Sequence, residues 1–125
     1  TEILVAGAHM SGLPLNYQLR DLDGQYLEAT KTASKYSLYA LAGGPPERPG
    51  LVREEQDGAN IEVEIWAIPT INVGTLLAQI PAPLGLGKVE LEDGRWVTGF
   101  ICEPWGVVGA EDITELRSWR SYLTS

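Results

Sequence analysis

The chain contains little cysteine, histidine or positive charge, and each shortage excludes a class of protein. One Cys and one His among 125 residues exclude an internal disulfide, a multi-cysteine zinc site and a pair of histidine metal ligands. The 9 Lys and Arg residues against 17 Asp and Glu give a net charge of −8, which argues against nucleic acid and anionic lipid as partners. We therefore expect no metal, no cofactor, no nucleic acid and no membrane partner.

The chain also lacks long apolar segments. No apolar run approaches the roughly 18 residues that a transmembrane helix needs, and the first residues carry no basic flank of the kind found in signal peptides. A cytoplasmic protein is therefore the expectation. The length fits one domain over residues 1–125, and a chain of this size can bury a core without disulfides.

Short apolar segments separated by 14 Gly and 8 Pro residues predict a folded chain with many turns. Strands are predicted at 3–7, 25–32, 36–41, 51–53 and 61–68, and a hairpin is predicted at 86–102 around Asp93-Gly94. Helices are predicted at 16–22 with Asn16 as N-cap, at 69–80 and at 115–123, and 43–50 is predicted to be a turn. Because strands dominate and do not alternate with helices, the predicted class is α+β: a small mixed or antiparallel β-barrel with two to three helices.

His9 is the first candidate for chemistry, because it is the only imidazole and follows the apolar segment 3–7 directly. An ordinary pKa of about 6.5 suits histidine to general acid or base work near neutral pH. Catalytic groups are also often placed on loops held by a rigid scaffold. The alternative is a turn histidine with a satisfied hydrogen bond.

The loop around His9 is a candidate anion-binding site. Gly7 and Gly12 flank it, with Ala8, Met10 and Ser11 between them, and glycines permit positive φ and close approach of the backbone to a ligand. Successive backbone N–H groups in such a turn can hold a carboxylate, which a chain of net charge −8 would otherwise repel. The alternative is an ordinary turn at the exit of a strand, since the G-x-G-x-x-G spacing of a dinucleotide site is missing.

Carboxylates and one arginine are weaker candidates. Glu62 and Glu64 share one face of a predicted strand, about 7 Å apart, and Trp66 on the same face favours enclosure of Glu64 and acid–base work. A polar outer face explains the pair equally well. Glu103 lies at the end of a predicted strand, and Arg53 either reaches an anion at a pocket mouth or pairs with the acidic residues that follow it.

Seven segments, taken in order, resemble the C-terminal domain of allophanate hydrolases over nearly the whole chain. They are VAGAHMSGLPLN (5–16), YSLYAL (36–41), PGLVR (49–53), IEVEIWAIP (61–69), IPAPLGLG (80–87), GFICE (99–103) and GAEDIT (109–114). Each segment is weak by itself, and their common order makes the set specific. The resemblance implies a fold similar to that of γ-glutamyl cyclotransferases, a small mixed barrel with a pocket at its mouth.

The resemblance also implies an activity, the decarboxylation of N-carboxycarbamate in the second step of allophanate breakdown during urea degradation. His9 would then be a charged imidazolium that supplies a proton, supported by Glu103 or Glu64. The N–H groups of the loop from Gly7 to Gly12 would hold the substrate carboxylates. Asn16, Tyr39 and Arg53 are expected as further ligands of the substrate.

The implied partners are a small dicarboxylate-like substrate, an amidase domain and a second copy of the chain in a homodimer. A non-catalytic module that binds a small carboxylate or holds an amidase partner is the alternative. A γ-glutamyl amine cyclotransferase is a third possibility, but the Glu that serves as general base in that wider family has no counterpart between 69 and 87.

Overall fold

The computed structural model describes all of residues 1–125 and contains eight strands and three short α-helices. The strands are β1 (Glu2–Val5), β2 (Gln25–Lys31), β3 (Tyr36–Ala40), β4 (Pro49–Arg53), β5 (Glu62–Ala67), β6 (Leu84–Glu90), β7 (Trp96–Cys102) and β8 (Glu111–Asp112). The helices are α1 (Asn16–Arg20), α2 (Val73–Ala78) and α3 (Trp119–Leu123), and single 3₁₀ turns lie at Thr70–Asn72, Pro104–Val107 and Thr114–Leu116. The α+β class predicted from the sequence is confirmed.

β1 occupies the centre of a five-stranded sheet with the order β2-β5-β1-β7-β6. It runs antiparallel to β5, with Val5 opposite Glu64, and parallel to β7. Ile3, Leu4 and Val5 are fully buried, which explains why this strand reads as a continuous apolar run rather than as an alternating pattern. The loop that carries His9 therefore begins at the end of an enclosed strand in the middle of the sheet.

A second sheet of three strands, with the order β4-β3-β8, covers part of the first. Both sheets contribute to one apolar core, which includes Leu38 and Leu51 from the second sheet and Val89 from the first. Tyr36 on β3 also links the two sheets, because its hydroxyl accepts a hydrogen bond of 2.9 Å from the backbone N–H of Glu90 on β6.

The strands do not close into a barrel, so that part of the prediction is wrong. The edge strands β2 and β6 meet only at one end, where the N–H of Ala33 donates to the Glu90 carbonyl at 2.9 Å and the N–H of Glu92 donates to the Lys31 carbonyl at 3.0 Å. Extending this register would require the chain to continue along β6 beyond Ala33. The chain instead turns at Lys35 and enters the second sheet.

The predicted helices are present but shorter than the sequence suggests. Asn16 is the first residue of α1 and not its N-cap, which is Leu15. The predicted helix at 69–80 begins as a 3₁₀ turn before α2. The predicted helix at 115–123 is interrupted by Arg117, whose φ of 62° is left-handed, and α3 starts anew with Ser118 accepting from the N–H of Ser121. No helix here has the length and apolar character needed to cross a membrane.

Substituting Tyr36→Phe should lower the free energy of unfolding by about 1–3 kcal/mol, because the N–H of Glu90 loses its acceptor in a partly buried position. Urea denaturation measures this loss. Tyr17→Phe is the matched control, since Tyr17 is 55% exposed and surface substitutions usually change stability by less than about 0.5 kcal/mol. Equal losses in the two variants would contradict the role given to Tyr36.

Candidate functional site

The candidate site lies where β1 ends and the chain enters the loop of residues 6–15, here called the His9 loop. His9 is 7% exposed and lines a cavity of about 30 Å³, which has room for about two water molecules. The other lining residues come from the start of the loop, from β4 and the residue before it, from the segment after α2, and from β6 and β7. They are Ala6, Gly7, Ala8, Arg48, Pro49, Leu51, Ile80, Leu84 and Phe100. An outer cavity of about 230 Å³ shares Arg48 and Leu84 with it.

The carbonyl groups of Gly7, Ala8 and His9 all accept hydrogen bonds. The Gly7 carbonyl accepts from the N–H of Met10 at 2.9 Å, and the Ala8 carbonyl accepts from the N–H of Leu15 at 2.9 Å. The His9 carbonyl accepts from the side-chain amide of Asn16 at 2.8 Å. Asn16 is thus a buried residue that fixes the loop, which differs from the role of substrate ligand predicted for it.

The N–H groups of the same residues, in contrast, have no hydrogen-bond acceptor in the protein. Those of Gly7, Ala8 and His9 donate to no other group of the protein, although all three residues are buried. Buried N–H groups are seldom left without an acceptor, and each costs about 1–3 kcal/mol if it is. Three successive donors beside one cavity form an arrangement suited to an anion.

The two glycines of the loop serve different purposes. A Cβ on Gly7 would lie 2.2 Å from Cδ of Pro49, so glycine is required there by the close approach of β4. Gly12 has open space around it and a φ of 77°, so glycine is favoured there by the backbone conformation. Both positions were singled out from the sequence, and the structure separates their reasons.

The surroundings of His9 lower its pKa, which disfavours in the free protein the charged imidazolium expected from the sequence. Burial lowers its pKa below the usual value, a hydrogen bond with Gln18 opposes this, and the positive charge of Arg48 lowers the pKa further. Its Nε2 lies 2.7 Å from Oε1 of Gln18, which leaves Nδ1 without a protein partner. The ring also packs on Phe100, with 4.8 Å between ring centroids.

Arg48 is the cation at the cavity, and the sequence analysis selected Arg53 instead. Arg53 lies on the far part of β4, where its guanidinium is 3.0 Å from the Glu90 carboxylate and packs over the rings of Tyr36 and Trp96. It therefore belongs to the contact between the sheets and does not line the cavity. Arg48 follows a Pro-rich turn with no regular pattern, so its direction could not be inferred from spacing.

Glu64 is buried near the His9 loop but does not contact the imidazole. One of its oxygens, Oε1, accepts from the N–H of Ser11 at 2.8 Å, from the Ser11 hydroxyl at 3.0 Å and from Nε1 of Trp66 at 3.1 Å. The other oxygen, Oε2, accepts from Arg120 at 3.0 Å. Burial raises the pKa of Glu64, but the donors from Ser11, Trp66 and Arg120 outweigh burial and hold the pKa below its usual value.

The remaining candidates lie outside the cavity. Glu103 is exposed at the end of β7, where it accepts from the indole N–H of Trp105. Tyr39 lies on β3 in the second sheet, opposite Gly50 and Asp112, and Met10 is a buried member of the apolar core. No Asp or Glu lines the His9 cavity, so neither predicted carboxylate partner of His9 is placed to support it.

Sequence reasoning missed three residues that shape the site: Arg48, Gln18 and Phe100. Gln18 lies nine positions after His9, on α1, and Phe100 comes from β7, which pairs with β1. Of the two, only Phe100 depends on the sheet to reach His9. The parallel pairing of β1 with β7 would have indicated Phe100, but the sequence does not specify that pairing.

Comparison with known proteins gives a consistent result. A family described as the allophanate hydrolase C-terminal domain matches residues 1–124. The urea amidolyase of Lachancea kluyveri is 43% identical over 126 residues, which cover 98% of this chain and 7% of that relative. The chain is thus similar to a small part of a much longer protein.

Two solved structures are similar over almost the entire chain. Kluyveromyces lactis allophanate hydrolase has a TM-score of 0.95 and 41% identity, covering 98% of this chain and 21% of that one. A uropathogenic Escherichia coli-specific protein has a TM-score of 0.93 and 35% identity, covering 99% of this chain and 95% of that one. A γ-glutamyl cyclotransferase aligns with a TM-score of 0.54 at 13% identity, a likeness of fold alone that confirms the fold expected from the sequence.

The pKa of His9 should lie below about 6.5 in the free protein, because burial and Arg48 both disfavour the charged ring. As the only histidine, it gives one imidazole signal whose NMR titration reads this pKa directly. The folded pKa is depressed, so the related stability is complete above about pH 6.5 and is lost as the pH falls through the folded pKa. Urea denaturation of the parent and of His9→Gln at several pH values separates this loss from that of other groups. A pKa above 6.5 would contradict the assignment.

Proposed function

Because the chain belongs to the allophanate hydrolase C-terminal domain family, we propose that it decarboxylates N-carboxycarbamate, the dianion formed in the first step of allophanate breakdown. The observation that carries the proposal is the set of three unpaired N–H groups, from Gly7, Ala8 and His9, which share one cavity with Arg48. These donors provide a local positive site in a chain of net charge −8. They match a small ligand rich in carboxylate oxygens.

Binding comes first in the proposed mechanism. The carboxylate that is retained accepts hydrogen bonds from the three N–H groups and pairs with Arg48, which lines both cavities, while the other carboxylate lies against the apolar side chains of the inner cavity. Arrival of two negative charges raises the pKa of His9, reversing the effect of burial and of Arg48. The imidazole then takes up a proton on Nδ1, the ring nitrogen that has no protein partner.

Decarboxylation follows by proton transfer. His9 gives its proton to the central nitrogen of the substrate while the bond between that nitrogen and one carboxyl carbon breaks. The electron pair of the broken bond goes to the nitrogen, and the products are CO₂ and carbamate. General acid help of this kind contributes about 10²- to 10⁴-fold.

The apolar side of the cavity favours loss of the charged group. The apolar lining of the space around His9 consists of Leu51, Ile80, Leu84 and Phe100. Contact with such side chains leaves a charged carboxylate poorly solvated, whereas neutral CO₂ loses little free energy there. The small volume of the inner cavity suits a group of one carbon and two oxygens. The leaving carboxylate is therefore proposed to lie on this side and the retained one near Arg48.

The substrate must be supplied by another active site, since this step begins from the product of an amide hydrolysis. We propose an amidase domain as that partner, in keeping with the longer allophanate hydrolase and urea amidolyase relatives. The predicted homodimer and the cytoplasmic setting remain proposals of the same kind.

A non-catalytic role is the second candidate, and one observation favours it. The Escherichia coli protein is matched over 95% of its own length, so this fold exists as a separate chain without the rest of a urea amidolyase. Such a chain could bind a small dicarboxylate without converting it. The γ-glutamyl cyclotransferase alternative lacks support, because it needs an acidic base in the cavity and no Asp or Glu lines it.

In this assay a separate amidase domain forms N-carboxycarbamate in the reaction mixture. His9→Ala should reduce the rate of CO₂ release to the spontaneous rate, because the proton donor is removed. The expected decrease is about 10²- to 10⁴-fold in the catalysed part. Circular dichroism checks that the fold is retained. Equal rates of CO₂ release from the variant and the parent would exclude His9 from catalysis and favour the binding role.

Arg48→Gln should raise the Kd for malonate, a stable dianion of similar size, by about ten- to hundredfold, as expected for one charge-assisted hydrogen bond. Isothermal titration calorimetry measures the change. Arg53→Gln is the matched control, because Arg53 lies on the same strand but outside the cavity. Parallel effects of the two substitutions, or no malonate binding to the parent, would argue against an anion site at Arg48.

A further inference from the structure

The His9 loop has only one polar connection to the main body of the fold. Its other hydrogen bonds stay within the loop or reach α1, which follows it directly: Met10 to Gly7, Leu15 to Ala8, and His9 to Asn16 and Gln18. The connection to the sheet and to the C-terminal helix is made by Ser11 alone. Every polar group of Ser11, N–H, hydroxyl and carbonyl, takes part in it.

Glu64 and Arg120 hold Ser11 from two sides. Glu64, on β5, accepts from the N–H and the hydroxyl of Ser11 at 2.8 and 3.0 Å. Arg120, on α3, donates to the Ser11 carbonyl at 2.7 Å and to the second oxygen of Glu64 at 3.0 Å. Glu64 and Arg120 lie 53 and 109 positions after Ser11 in the sequence, so the contact joins distant parts of the chain at one point of the loop.

The orientation of the Glu64 carboxylate is itself fixed. Trp66, two positions along β5 and on the same face, donates its indole N–H to Oε1 of Glu64 at 3.1 Å. Glu64 is 8% exposed, and a buried carboxylate adds little to stability compared with an apolar residue of similar size. A charge so placed and so completely hydrogen-bonded is better explained by what it holds than by the stability it gives.

We infer that Glu64 is a positioning residue for the carboxylate-binding part of the His9 loop and acts through Ser11, with Arg120 as its second support. The inference rests on the proposed function, since it takes the N–H groups of Gly7, Ala8 and His9 to be the ligand donors. Only one residue, Met10, separates Ser11 from His9, so a shift of Ser11 is passed to those donors through the backbone. Donors fixed before the ligand arrives bind it without the loss of further loop freedom.

The test uses the complete chain with Glu64→Gln, Arg120→Ala and the control Glu62→Gln, which changes an exposed carboxylate on the same strand. Malonate affinity is measured by calorimetry, and amide hydrogen exchange of Gly7, Ala8, His9 and Ser11 is measured by NMR below the unfolding temperature of each variant. We expect Glu64→Gln and Arg120→Ala to raise the malonate Kd about tenfold. We also expect faster exchange at Ser11, while Glu62→Gln matches the parent.

The response of the His9 imidazole signal to malonate separates positioning from general loss of stability. In Glu64→Gln the signal should move less on saturation than in the parent, because the ligand is held less closely to the ring. Unchanged affinity, exchange and signal in folded Glu64→Gln and Arg120→Ala would overturn the inference. If the parent binds no malonate, the proposed function fails, and exchange at Ser11 still decides whether Glu64 orders the loop.

Discussion

The site depends on the hydrogen bonds that occupy the carbonyls of Gly7, Ala8 and His9. A peptide unit joins the carbonyl of one residue to the N–H of the next, so fixing the carbonyls of Gly7 and Ala8 determines where the N–H groups of Ala8 and His9 are found. Met10, Leu15 and Asn16 supply the three donors, and none of these comes from a distant element. The segment from Gly7 to Asn16 thus sets most of the local arrangement of these groups, while Glu64, Arg120 and the cavity walls come from distant parts of the chain.

The charges around the cavity are compatible with the acidic ligand that we propose, although the protein itself is acidic. The chain carries 17 acidic residues, yet none lines the cavity beside His9, and the nearest buried carboxylate, Glu64, is already bound by four donor groups. Fields from exposed charges are weakened by solvent and salt over roughly 10 Å. Donors inside a cavity are screened much less, so Arg48 and the loop can dominate locally.

Much of the fold could be predicted from short-range patterns, and less of the site. β1, β5 and the hairpin of β6 and β7 follow from apolar runs, from alternation and from Asp93-Gly94, all of which act over a few residues. The barrel was wrong because closure depends on where the chain leaves β2, at Ala33–Lys35, which no periodicity encodes. Arg53 and Arg48 differ by five positions, and only the packing of β4 decides which one meets His9. Glu64 was correctly selected as enclosed, but its partners Ser11 and Arg120 lie far from it in sequence.

The central position of β1 has a consequence for how the protein folds. Its two neighbours are β5, at Glu62–Ala67, and β7, at Trp96–Cys102, so β1 cannot pair on both sides until residues about 60 and about 95 positions later are available. Pairings this distant in sequence slow the search for the native state. Until these pairings form, the apolar segment of β1, which is buried in the folded protein, is exposed to other chains in the cell. Newly made copies are therefore expected to depend on chaperones while they fold.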